Sequence, residues 1–233
     1  MARLFSVAHE QFSERVEDVK LSPRKLIFVA YEGVVAEHYY FTELSNLLKD
    51  LTEYNVDFFP LERLKNDGKS HPYHVRDGMI EYYSEKIKGS PTFDVIRDQL
   101  WIVVDVDRHF KNTENKTREQ NYAEYLQSLT HDSVEIKLAI SKPCFELWLI
   151  LHYELIDNLD LAEIATGQQL KTLCKQTLVN HHHIQSQQYF ENEFAKVKSA
   201  ISQAQNAKLN QDNALALDSV GTTVYKLLEQ VIN

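Results

Sequence analysis

The chain has 233 residues, of which 43% are hydrophobic and 25% are charged, and its formal net charge is −9 at pH 7. These values are typical of a globular protein with one substantial core, and no stretch is apolar for long enough to span a bilayer. The negative charge argues against a protein that coats nucleic acid nonspecifically, but it does not exclude an enzyme that contacts a few phosphates.

The amino-terminal segment and the cysteines indicate a cytoplasmic protein. Residues 1–22 carry mixed charges and lack the pattern of a signal peptide, so we expect an extension that packs over the domain. Cys144 and Cys174 have no CxxC spacing, which is typical of a reducing compartment, and the sequence shows no zinc pattern. We therefore expect a cytoplasmic protein that does not contact a membrane.

Strands and helices alternate from residue 23 onward. Apolar, β-branched runs predict buried strands at 25–31, 55–59, 100–107 and 134–140. Apolar residues at helical spacing predict helices at 36–51, 75–87 and 118–129. This order predicts an α/β fold, in which a central parallel sheet of about four strands is flanked by helices.

The sequence changes character after the last predicted strand. Pro143 suits the first turn of a helix, and Glu146 would lie in that turn. From Asp157 onward there are no strand signals, and we expect helices near 167–180, 187–206 and 219–231. We therefore divide the chain into three parts, which are an extension over 1–22, a catalytic domain over 23–156 and a helical carboxy-terminal extension over 157–233.

Two carboxylates end the central strand. Asp105 and Asp107 are two residues apart, so in a strand both side chains project from the same face, and their mutual repulsion requires a cation, a shared proton or a set of donors. Open α/β sheets also bind their ligands at this edge. On the strand alone, a second interpretation is equally supported, in which Asp107 caps a turn and Asp105 is solvated.

Further acids are expected near the same edge. Glu32 follows the first strand, and Glu146 comes one element after the last, so the sheet should bring them close to the aspartates. An all-oxygen set suits Mg²⁺ or Mn²⁺, which typically binds carboxylates together with a substrate phosphate. Glu32 would be the natural general acid or base. Glu146 is explained equally well as a first-turn acid that complements the helix dipole.

Basic residues follow the predicted strands. Arg108 and Lys111 lie in a basic loop after the aspartates and are candidates for contact with a nucleic-acid backbone. His109 is a candidate for phosphate or metal contact, although a lone histidine is more often a hydrogen-bonded structural residue.

Three motifs resemble those of the RloB family, which has the toprim pattern of topoisomerases, primases and OLD-type nucleases. The matching segments are Glu32-Gly33 with Glu37, residues 101–109 with their Asp-x-Asp, and residues 141–149 with His152. The resemblance covers roughly residues 23–230.

The resemblance implies a toprim-like, metal-dependent nuclease of DNA or RNA that acts in antiviral defence by abortive infection. It implies an ABC-type ATPase as partner and leaves open a homo-oligomer. Carried over by position, the resemblance implies that Glu32 is the acid or base and that Asp105, Asp107 and Glu146 are metal ligands together with Glu32. Lys142 replaces a common asparagine, which either places a cation beside the substrate phosphate or only marks the entry to a helix.

Three other functions are compatible with parts of this pattern. Nucleotide-sugar glycosyltransferases also end an apolar strand in Asp-x-Asp, but that function leaves Glu32-Gly33 and residues 142–152 without a role. Haloacid-dehalogenase-type phosphatases carry Asp-x-Asp on the first strand, with Thr or Val where His109 stands. The strongest rival is a toprim-shaped partner or sensor subunit of the ATPase that cuts nothing.

Overall fold

A computed structural model describes residues 24–50, 55–61, 71–106, 109–153, 155–161, 194–205 and 220–232. Asp107, Arg108, the extension over 1–22 and the helix expected near 167–180 lie outside these ranges. The strands are β1 (Lys25–Tyr31), β2 (Val56–Leu61), β3 (Gln99–Asp105), β4 (Thr130–His131), β5 (Val134–Lys142) and β6 (Gly221–Thr222). The helices are α1 (Ala36–Asp50), α2 (Pro72–Tyr82), α3 (Arg118–Gln127), α4 (Glu146–Ile150), α5 (Phe194–Ala204) and α6 (Val224–Ile232).

The described strands form one sheet in the order β2-β1-β3-β5-β4, with β6 also paired to β5. Strands β2, β1, β3 and β5 are mutually parallel, whereas β4 and β6 run antiparallel to β5. The predicted α/β fold with a parallel-dominant sheet is therefore confirmed. The carboxyl ends of β1, β3 and β5 meet at one edge, where Glu32 and Asp105 are located.

Both faces of the sheet are buried, because alternate residues of each strand point in opposite directions. On one face, Ile27, Val29 and Tyr31 pack against helices that include α1, α4 and α6. On the other face, Leu26 and Phe28 pack against α2 and α3. This two-sided burial explains why β1 and β3 are almost continuously apolar.

Several boundaries differ from those expected. β2 continues through Pro60, which an edge strand tolerates because its missing N–H removes no ladder hydrogen bond. The helix expected at 75–87 begins at Pro72 and continues as a π-helix over Tyr83–Ile87. The expectation that Pro143 lies in the first turn of a helix is wrong, since α4 begins at Glu146.

The carboxy-terminal part contains a strand that was not expected. β6 is only two residues long, so it has no hydrophobic period to detect. Thr223 follows it, and its Oγ1 accepts a hydrogen bond from the backbone N–H of Ile140 at 2.9 Å. Helix α6 buries Leu227 and Leu228 in the same core as α1 and α4. The expected division at residue 157 therefore separates residues that share one core.

Candidate functional site

Glu32 and Asp105 meet at the carboxyl ends of β1 and β3. The backbone N–H of Glu32 donates to the carbonyl oxygen of Val103 at 3.0 Å, so Glu32 continues the pairing of these two strands. This pairing brings the side chain of Glu32 over the end of β3, where its Oε2 accepts a hydrogen bond from the backbone N–H of Asp105 at 3.1 Å. The next residue, Val106, is held in turn by a hydrogen bond to the carbonyl oxygen of Ser141.

A third acid at this edge is Glu37, which lies in the first turn of α1. Its carboxylate rests against Gly33, and a Cβ atom at that position would overlap it. The absence of a side chain at Gly33 leaves the space that the Glu37 carboxylate occupies.

Glu146 completes a cluster of four carboxyl groups. It lies in the first turn of α4, so two acids come from strand ends and two from helix first turns, where the helix dipole favours negative charge. Each of Glu32, Glu37, Asp105 and Glu146 is less than a tenth exposed. We refer to these four residues as the carboxyl cluster.

The electrostatics of the carboxyl cluster are those of crowded, buried acids. Burial raises the pKa of Glu37 well above its usual value, and the negative charges of Asp105, Glu146 and Glu32 raise it further. Without a cation, the cluster therefore favours a proton on Glu37.

A histidine contacts the cluster from the loop after β3. Nε2 of His109 lies 2.9 Å from Oε1 of Glu32, and the His109 side chain is largely buried. The ring of His71, the N-cap residue of α2, lies 5.1 Å from the His109 ring between centroids. His109 therefore contacts an acid of the cluster, and its predicted contact with a phosphate or a metal stays a prediction.

Two further candidate phosphate contacts, Lys111 and Lys142, are described by the structure. Lys111 is exposed and lines a cavity of about 500 Å³ between the loop after β3 and the start of α3, together with Asn112, Arg118 and Glu119. Lys142 ends β5, at the same edge of the sheet. Arg108 and the metal ligand expected at Asp107 lie outside the described residues.

His152 belongs to the core. It is 7% exposed, its Nδ1 lies 3.0 Å from the carbonyl oxygen of Trp148, and its Nε2 lies 3.2 Å from the hydroxyl oxygen of Tyr40. Burial lowers the pKa of His152 to about 4, so the ring is neutral at pH 7. The motif of residues 141–149 with His152 thus includes a structural histidine.

The donor set of the carboxyl cluster fits a hard divalent cation, because all its side-chain ligands are carboxylate oxygens. A cation would also relieve the repulsion that raises the pKa of Glu37. Among the residues described, which do not include Asp107, no three acidic, histidine or cysteine side chains are already arranged as a set of metal ligands.

Two residues of this region were not singled out as site residues from the sequence. Glu37 had a detectable signal, since it is an acid in the first turn of the helix that follows Glu32-Gly33. His71 had no detectable signal in the sequence, because its contact with His109 joins two loops that are far apart in the chain.

Comparison with known families identifies the chain. The model of the RloB-like protein family matches residues 27–231, so the chain belongs to this family. No curated protein and no solved structure matches it. Within the described ranges, no helix combines the length and the apolar character needed to cross a membrane.

Proposed function

We propose that this protein is a metal-dependent nuclease with a toprim-like site at the carboxyl ends of β1 and β3. The observation that carries the proposal is the convergence of Glu32, Glu37, Asp105 and Glu146 in one buried cluster. Burying four acids together costs folding free energy unless protons or cations neutralise them. The stability of the fold alone therefore does not explain why the four acids lie together.

The proposed cofactor is Mg²⁺ or Mn²⁺, held by Glu32, Asp105 and Glu146 together with Asp107. When bound, such an ion supplies a nucleophilic water and neutralises charge on a phosphodiester. Among the described ligands, Glu32 follows β1, Asp105 ends β3 and Glu146 begins α4, so these elements set their spacing.

Glu32 is the proposed general acid or base. One of its oxygens accepts a backbone hydrogen bond from Asp105, and the other contacts His109, so its carboxylate has a defined orientation. An oriented carboxylate can move a proton at the reacting oxygen more effectively than a mobile one. Lys111, Arg108 and Lys142 are the proposed contacts to the flanking phosphates.

The biological setting is proposed from the resemblance to the RloB family alone. We propose that the nuclease is the effector of an abortive-infection system and that an ABC-type ATPase is its partner. An ABC-type ATPase gene beside the gene for this protein, and co-purification of the two proteins, would test this part separately from the chemistry.

The nuclease proposal is tested with the purified chain, Mg²⁺ or Mn²⁺, and labelled DNA and RNA. We expect metal-dependent cleavage of one of the two, and a rate lower by about 10²–10⁴-fold in Glu32→Gln if Glu32 is the acid or base. Glu43→Gln is the matched control, because Glu43 is an exposed acid on the same helix as Glu37. Cleavage that Glu32→Gln and Asp105→Asn leave unchanged would refute the proposed site.

A further inference from the structure

The orientation of Glu32 depends on a side chain from another loop. The backbone N–H of Asp105 fixes Oε2, and this donor cannot rotate because β3 holds it. Oε1 lies 2.9 Å from Nε2 of His109. In the arrangement that orients Glu32, Nε2 of His109 carries the hydrogen and donates it to Oε1 of Glu32. His109 thus determines where the second oxygen of Glu32 points.

His109 is itself held by the start of α2. Nδ1 of His71 accepts a hydrogen bond from the backbone N–H of Tyr73 at 3.4 Å, which caps the helix. A neutral His71 ring therefore carries its hydrogen on Nε2. The His71 ring packs edge-on against the His109 ring, with 5.1 Å between the ring centroids. The two rings are nearly perpendicular, at 75°.

We propose that His71 and His109 are positioning residues for Glu32, in which the His71 ring holds the His109 ring in place and His109 orients the Glu32 carboxylate. The consequence for catalysis rests on the proposed nuclease function, but these contacts are a property of the protein without substrate. The proposal gives His109 a role different from phosphate contact, and it gives a role to His71, which the sequence did not indicate.

The first test does not require activity. In the full-length protein, long-range ¹H–¹⁵N correlation spectra of the histidine rings distinguish the two neutral tautomers. We expect the Nε2–H tautomer for both His109 and His71, and a changed His109 ring signal in Glu32→Gln and in His71→Asn. An Nδ1–H tautomer for His109, or a His109 signal that neither variant changes, would overturn the proposal.

The His71→Asn substitution separates positioning from helix capping. Asparagine is a good N-cap residue, so α2 keeps its cap, while the ring that contacts His109 is lost. His74→Asn is the matched control, since His74 is an exposed histidine in the first turn of the same helix. A His109 ring signal that changes equally in His71→Asn and in His74→Asn would also contradict the proposal.

Kinetics provide the second test if the nuclease activity is found. We expect His109→Gln to lower kcat by about 10–100-fold and His71→Asn by about 10-fold, with KM for the nucleic acid unchanged, as for residues that orient a reacting group. A raised KM with an unchanged kcat and a weaker salt dependence would instead identify His109 as a phosphate contact. If the wild-type protein cleaves nothing, the proposed function fails and the spectra alone decide the positioning roles.

Discussion

The buried carboxyl of Glu37 predicts a specific dependence of stability on pH. Its pKa is raised in the folded protein, whereas in the unfolded chain it is close to the usual value of 4.5. As pH rises above 4.5, the unfolded state releases this proton before the folded state does. The stabilisation is therefore complete below 4.5 and is lost progressively up to the pKa of the folded protein.

The size of this effect follows from the titration of a single proton on Glu37. Between the two pKa values, the free energy of unfolding falls by about 1.4 kcal/mol for each pH unit. For a chain of this size, such a change corresponds to roughly 3–6 °C in Tm per pH unit. Glu37→Gln removes this dependence, because glutamine resembles the protonated acid in shape and does not titrate.

The assay is thermal unfolding of the wild type and Glu37→Gln from pH 4.5 to pH 8, with chelator present. We expect the Tm of the variant to exceed that of the wild type by an amount that grows with pH. Glu43→Gln, which changes an exposed acid of the same helix, should follow the wild type. Adding Mg²⁺ should raise the Tm of the wild type at high pH, because a ligand that binds the folded state stabilises it. Parallel Tm profiles for the wild type and Glu37→Gln would refute the reasoning.

Three further predictions concern other parts of the fold. Gly33→Ala should displace the Glu37 carboxylate and weaken Mn²⁺ binding in calorimetry, with the overall fold retained in circular dichroism; an unchanged affinity would show that the metal does not depend on this packing. His152 should remain neutral until pH falls well below its usual pKa of 6.5, so NMR titration should show no protonation above about pH 5, and the stability that depends on the neutral ring should be lost as pH falls from 6.5 towards 4. Asp98→Asn should lower the free energy of unfolding by about 2–4 kcal/mol in urea titrations. The reason is that the buried Asp98 carboxylate accepts hydrogen bonds from the backbone of Leu26 and the side chain of Arg97, at the edge of the sheet opposite the site. Metal affinity that changes in Asp98→Asn while the fold is retained would contradict this separation of the two edges.

The strands and the edge that carries the acids were predictable from the sequence. The apolar runs of β1 and β3 are long enough to be recognised, and each ends in a carboxylate whose position follows from the parallel arrangement. The strand–helix alternation was sufficient to give that arrangement. Glu32 and Asp105 could therefore be paired before any coordinates were known.

The features that were not predicted correctly have no recognisable pattern in the nearby sequence. β6 has two residues and takes its place from the threonine contacts to β5, which a periodic pattern cannot reveal. Pro143 is compatible with a helix start, but the helix begins three residues later, at Glu146. The contact between His71 and His109 depends on how α2 packs beside the loop after β3, so only tertiary structure shows it.

The most direct measurement is the affinity of the protein for Mn²⁺, determined by calorimetry for the wild type, Asp105→Asn and Glu43→Gln under the same conditions. Our account predicts that the wild type and Glu43→Gln bind Mn²⁺ equally well and that Asp105→Asn binds it at least about 10-fold more weakly, because one ligand loses its charge. Equal affinity in all three proteins would contradict the claim that the carboxyl cluster is a metal site.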